Sequence, residues 1–124
     1  MKTEKNTCEI IIPIYKEELS YYETLSVESC FRVLKGYSIV LCKPSGLNTS
    51  KIESDFNFTR IECFDSSYFD SVASYNRLML SASFYERFIH SKYILIFQTD
   101  AFIFYDDLDR WISYNYDYVG APWI

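Results

Sequence analysis

The sequence predicts an α/β fold in which a mostly parallel sheet carries helices on both faces. Three observations predict it. Short, β-branched apolar runs recur along the 124 residues, segments with helical spacing or capping signals separate them, and strand and helix alternate from the first run onward. Apolar runs of this kind mark strands buried on both faces, and strands alternating with helices return to one sheet by right-handed crossovers.

The first run, Cys8 to Tyr15, reads Cys-Glu-Ile-Ile-Ile-Pro-Ile-Tyr and predicts a buried strand. Ser20 followed by Glu23 forms a capping box that starts a helix near Tyr21. Leu25, Val27, Cys30, Phe31 and Leu34 give that helix an apolar stripe, and Gly36 supplies its stop. Tyr37 to Cys42 is a second strand, closed by the turn signal Lys43-Pro44-Ser45-Gly46. Leu47 to Asn57 is polar and accommodates one short helix, and Phe58 to Phe64 alternates as a third strand. Ser71 to Ser91 reads as one long helix with Val72, Tyr75, Met79, Ala82, Glu86 and Ile89 on a common face. Tyr93 to Phe97 is the fourth strand. Beyond it, Phe102 to Phe104 predicts a brief strand, Asp107 caps a helix running to about Tyr114, Asp117 to Val119 is extended, and Gly120-Ala121-Pro122 turns the chain.

Composition bounds the function. A chain of 124 residues, 49% hydrophobic and 23% charged, is read as one globular domain over residues 1–124. Aromatic residues make up 19% of it, enough to fill a core and leave rings for stacking on sugars or bases. The net charge is −5 and no basic stripe is visible, which argues against nucleic acid. A phosphorylated ligand would need a metal ion or aimed backbone N–H groups to offset the acidity. No apolar run reaches membrane-spanning length, and the polar start from Met1 to Thr7 is unlike a signal peptide. Cys8, Cys30, Cys42 and Cys63 show no metal-ligand spacing and read as reduced, buried thiols of a cytoplasmic protein.

In a parallel sheet, ligands bind beyond the carboxyl ends of the strands, where the strand order switches. Candidate residues are therefore Pro13-Ile14-Tyr15, Pro44-Ser45-Gly46 and Gln98-Thr99-Asp100. A GxGxxG fingerprint after the first strand and a GxxxxGK[ST] loop are both absent. The acidic pair of a receiver domain is replaced by Pro13-Ile14-Tyr15, and the one histidine, His90, has no nucleophile pattern near it and reads as a dipole partner at a helix end. Asp106, Asp107 and Asp109 read as carboxylates at a helix start rather than metal ligands.

An apolar strand ending in a DxD-like triplet resembles the GT-A glycosyltransferases, and Gln98-Thr99-Asp100 resembles a variant of that triplet. A second likeness, to a bacterial glycosyltransferase-like family of uncharacterised domains, rests on segments taken in order. They are Ile12-Pro13-Ile14-Tyr15-Lys16, Leu19-Ser20 with Glu23, Tyr75-Asn76-Arg77-Leu78-Met79-Leu80-Ser81, Gln98-Thr99-Asp100-Ala101-Phe102 and Tyr116-Asp117-Tyr118-Val119-Gly120-Ala121-Pro122-Trp123. The resemblance they carry spans nearly the whole chain.

The resemblance implies a Rossmann-like GT-A sheet and the donor-binding half of a transferase that moves sugar from a nucleotide-diphosphate sugar to a glycan or lipid-linked acceptor. It implies a role in bacterial surface polysaccharide or glycan synthesis. It places the donor against Pro13, Ile14, Tyr15, Asn76, Arg77, Gln98 and Asp100, with Tyr15 available to stack on the base and Gly120-Ala121-Pro122-Trp123 shaping the sugar pocket. Asp100 matches the metal-contacting Asp, so Mn²⁺ or Mg²⁺ is the implied cofactor. Gln98 departs from the pattern: its amide can bond a hydroxyl but supports a metal less than a carboxylate does. No residue stands out as general base, which implies that the chain stops before the acceptor half. A peripheral membrane association stays open. The alternative, from a different class, is a catalytically idle nucleotide-binding or assembly module of the same fold.

Overall fold

The computed structural model describes residues 7–120. Four parallel strands form one sheet in the order β3-β2-β1-β4, with β1 at Cys8–Pro13, β2 at Ser38–Pro44, β3 at Arg60–Phe64 and β4 at Tyr93–Ile96. Helix α1 spans Tyr21–Val33, α2 Ser50–Asp55, α3 Val72–Met79, α4 Ala82–Glu86 and α5 Leu108–Ser113, and a 3-10 turn covers Ser66–Phe69. The α/β class, the parallel sheet and the helices flanking it agree with the sequence reading.

Period-two alternation along the strands sorts the core into two layers. Ile10, Ile12 and Ile14 of the first strand and its extension pack with Val27 and Cys30 of α1, its C-cap Leu34 and Ile52 of α2 on one face. Ile11, Val40 and Cys42 pack with Phe64, Leu78, Phe84 and Phe88 on the other. All six residues of β1 are buried, as expected of a central parallel strand.

Helix α1 begins where its capping box places it: Ser20 Oγ accepts from the Glu23 N–H at 3.2 Å, and Glu23 accepts from the Ser20 N–H at 2.8 Å. The short helix expected between residues 47 and 57 is α2. The single helix expected over Ser71–Ser91 is two helices. Ser81 donates to the Leu78 carbonyl at 2.8 Å and accepts from the Phe84 N–H at 3.2 Å, so its side chain ends one helix and caps the next. The buried face differs from the expected stripe already in α3, and the break shifts its phase again. Ser74, Leu78, Phe84 and Phe88 turn inward, while Val72 and Ile89, expected on the buried stripe, are 79% and 73% exposed.

Phe102 to Phe104 and Asp117 to Val119 are irregular rather than extended strands. Neither finds a ladder partner, and the outer edge of β4 has no strand beside it among the described residues. Helix α5 starts after Asp107, but the carboxylate that accepts from the Leu108 N–H belongs to Asp106 at 3.0 Å, while Asp107 pairs with Arg110 at 3.0 Å. Asn115, at φ 57°, ends the helix in the left-handed region. The expected turn at Gly120-Ala121-Pro122, with Trp123 after it, runs past the described residues. Among those residues no helix is long and apolar enough to cross a membrane.

Candidate ligand site at the carboxyl ends of β1 and β4

The chain runs outward from β1 to β2 to β3 and then returns to place β4 on the other side of β1. The strand order therefore reverses between β1 and β4, where a crevice opens beyond the carboxyl ends of the two strands. Ile10 pairs with Leu95 and Ile11 with Ile96, and the Phe97 N–H donates to the Ile11 carbonyl at 2.8 Å. This register brings Pro13 and Tyr15 alongside Gln98.

A cleft of about 280 Å³ lies there, lined by Pro13 and Tyr15 from the end of β1, Phe69 from the 3-10 turn, Ser71, Val72 and Tyr75 from the start of α3, and Gln98 after β4. Tyr15, Phe69 and Tyr75 give it three aromatic walls. Phe69 and Tyr75 stand 6.4 Å apart between ring centroids, and Tyr15 is 62% exposed. The Gln98 amide Nε2 donates to the Tyr75 hydroxyl at 2.9 Å, which leaves the phenolic proton available to a ligand. Burial pushes the Tyr75 phenol upward, outweighing the lowering by Gln98, so it is a neutral donor at physiological pH.

On the α1 side of the same edge, the Glu23 carboxylate joins three segments. Lys16 pairs with it at 2.7 Å, the Ser20 N–H donates at 2.8 Å, and the Thr99 hydroxyl donates at 3.3 Å. Burial pushes the carboxyl upward, but the hydrogen bonds from Lys16 and Ser20 outweigh it and hold Glu23 down at about 2.

The residues singled out in the sequence separate into groups. Pro13, Tyr15 and Gln98 meet in the cleft. Ile14 faces the opposite way, 2% exposed in the α1 core, because alternate residues of an extended chain take opposite faces. Asn76 and Arg77 are exposed on α3 and do not line the cleft, since helical rotation gives Val72 and Tyr75 that position. Asp100 is exposed in the turn closed by the Ala101 N–H and the Gln98 carbonyl at 3.1 Å, and it has no side-chain partner among the described residues. No cluster of three or more His, Cys, Asp or Glu side chains suited to a metal ion occurs among those residues.

Two residues named in the sequence were not placed at the site. Tyr75 was legible as part of a helical stripe and as the first residue of the Tyr75–Ser81 segment, but only the rotation of α3 turns it, rather than Asn76 or Arg77, toward the cleft. Glu23 was legible as a capping residue and as part of the Leu19-Ser20-Glu23 segment, but nothing local signals its contact with Thr99, 76 positions away.

The second half of this site coincides with a known sequence profile. A family described as a protein of unknown function, DUF5672, matches residues 58–124, just over half of the chain. The chain belongs to the DUF5672 family. Within the matched part lie Tyr75, Gln98, Thr99 and Asp100, so the α3 wall of the cleft and the loop after β4 are DUF5672 segments, whereas Pro13, Tyr15 and Glu23 precede the match. No curated protein and no solved structure matches the chain.

Proposed function

We propose that this DUF5672 chain is a nucleotide-sugar-binding, GT-A-type glycosyltransferase domain, or the donor-binding portion of one. The carrying observation is the aromatic cleft at the β1/β4 switch point, which holds Tyr15, Tyr75 and Gln98 together beside the loop bearing Asp100. Aromatic walls suit the flat face of a nucleobase, and the amide and phenol supply polar contacts that fix its orientation. A diphosphate extending from the base would reach toward Asp100.

The donor set fits Mn²⁺ or Mg²⁺ only as a ternary site. Asp100 offers one exposed carboxylate, Gln98 offers only a neutral amide oxygen because its nitrogen donates to Tyr75, and the other positions would be filled by diphosphate oxygens and water. Such an ion supplies charge stabilisation for the departing diphosphate. The chain's own residues bind and orient the donor. The acceptor, a glycan or lipid-linked molecule, and a cytoplasmic setting belong to the same proposal.

The test is a thermal-shift panel of nucleoside diphosphates and sugar nucleotides with and without Mn²⁺. A ligand at a hundred times its Kd adds about 2.7 kcal/mol, or very roughly 10 °C for a domain of this size. Sugar-nucleotide hydrolysis or transfer then distinguishes an enzyme from an idle binder. Absence of any shift across the panel sinks the proposal.

A specific observation favours the alternative of an assembly module. A groove of about 700 Å³ follows the outer edge of β4, lined by Ile94, Ile96, Trp111 and Tyr118 among others, and unpaired strand edges invite pairing with another chain. An obligate oligomer whose mass and stability ignore nucleotides supports that reading.

A further inference from the structure

Between β4 and α5 the chain passes along α1 and is tied to it twice, at its first and third turns. Thr99 donates its hydroxyl to Glu23 Oε2 at 3.3 Å, and the Ile103 N–H donates to Ser29 Oγ at 3.2 Å. Asp100 and Gln98 flank the first tie. The other carboxylate oxygen of Glu23 is held from the opposite side by Lys16 and by the Ser20 N–H. The Glu23 side chain is 17% exposed, against 45% for Lys16, so it is a largely enclosed junction between the loop after β1 and the loop after β4. A capping box needs only the local bonds between Ser20 and Glu23; the bond to Thr99 is additional and tertiary.

We propose that Glu23 is a positioning residue of the ligand site, fixing the loop that carries Gln98 and Asp100 against the β1–α1 loop. Its consequence for ligand binding rests on the nucleotide-sugar reading above. The physical reason is preorganisation. A carboxylate on an exposed loop samples many positions, and a loop anchored before binding loses less freedom when the ligand arrives. Glu23 touches neither Gln98 nor Asp100; it acts through Thr99.

Thr99→Val and Glu23→Ala remove the tie from its two ends, and Ser20→Ala weakens the α1 cap without removing the Glu23–Thr99 contact. Hydrogen exchange of residues 98–103 is measured first, without ligand. Losing one hydrogen bond to a charged group is expected to speed exchange roughly tenfold across this loop in Thr99→Val and Glu23→Ala. In Ser20→Ala, faster exchange is expected only in the first turn of α1. Thr99→Val leaves the capping box intact, so its result does not depend on how well Glu23→Ala folds. Affinity for UDP and GDP with Mn²⁺ is measured second, with a loss of roughly tenfold expected in both loop variants.

Wild-type exchange in Thr99→Val overturns the tie itself. Faster exchange with unchanged nucleotide affinity overturns its link to binding. A wild type that binds neither nucleotide overturns the donor reading, and the exchange result alone then decides whether Glu23 holds the loop.

Discussion

Gln98 donates its side-chain amide to the hydroxyl of Tyr75 at 2.9 Å, joining the end of β4 to α3 across the mouth of the cleft. The bond uses the amide nitrogen and orients the side chain, leaving its oxygen as a hydrogen-bond acceptor for a ligand in the cleft. Tyr75→Phe keeps the ring and removes the hydroxyl. It is expected to weaken nucleoside-diphosphate binding by about three- to tenfold, one neutral hydrogen bond's worth, in titration calorimetry. The melting temperature should fall by no more than a few degrees.

Asp100→Ala tests the proposed metal. The side chain is exposed and without a partner among the described residues, so its removal should change intrinsic stability by less than about 0.5 kcal/mol. The Mn²⁺-dependent part of nucleotide stabilisation should disappear while the metal-independent part persists. An Mn²⁺ effect that survives the substitution places the ion elsewhere.

Acid should release the junction at Glu23. Its folded value, about 2, lies below the ordinary 4.5, so its contribution to stability is fully present above 4.5 and is lost as pH falls toward 2. Glu62 acts in the same direction: burial pushes its carboxyl up, but Arg87 and Arg60 outweigh burial and lower it. After allowance for solvent screening of the partly exposed Lys16, Glu23 should contribute about 1 kcal/mol. Thermal melts of wild type and Glu23→Gln across this range check it: the wild type should lose a few degrees more than the variant.

The four cysteines are free thiols, and three are shielded. Burial pushes Cys8, Cys30 and Cys42 up to about 12, whereas Cys63 is only half-buried. A thiol reagent near neutral pH should therefore label Cys63 first and the others only as the fold opens. Four equivalents are expected after denaturation without reductant. Fewer would reveal an oxidised pair.

Much of the fold was readable from residues close together in the chain. Ile10, Ile11 and Ile12 are β-branched and apolar at successive positions, as in a strand buried on both faces, and Ser20 with Glu23 announces the start of α1 through bonds three residues apart. The same locality explains the errors. Ser71 to Ser91 carries helical spacing throughout, and the competing bonds of Ser81 that divide it acquire their consequence from packing, because only a restarted helix lets Phe84 and Phe88 join Leu78 over the sheet. Phe102 to Phe104 has strand-forming residues but no neighbouring strand to bond.

The candidate site divides in the same way. That ligand residues belong at the ends of the first and fourth strands followed from apolar runs ending in Pro13-Ile14-Tyr15 and Gln98-Thr99-Asp100. That those ends are neighbours depends on β4 returning beside β1, and which side chains meet there depends on the phase of each element: Tyr15 inward to the cleft and Ile14 away, Tyr75 toward it and Arg77 outward. Short-range hydrogen bonding and hydrophobic period are written in adjacent residues. Contacts spanning 23 positions, between Tyr75 and Gln98, or 76, between Glu23 and Thr99, exist only once strand order and helix rotation have been set by burying both faces of one sheet.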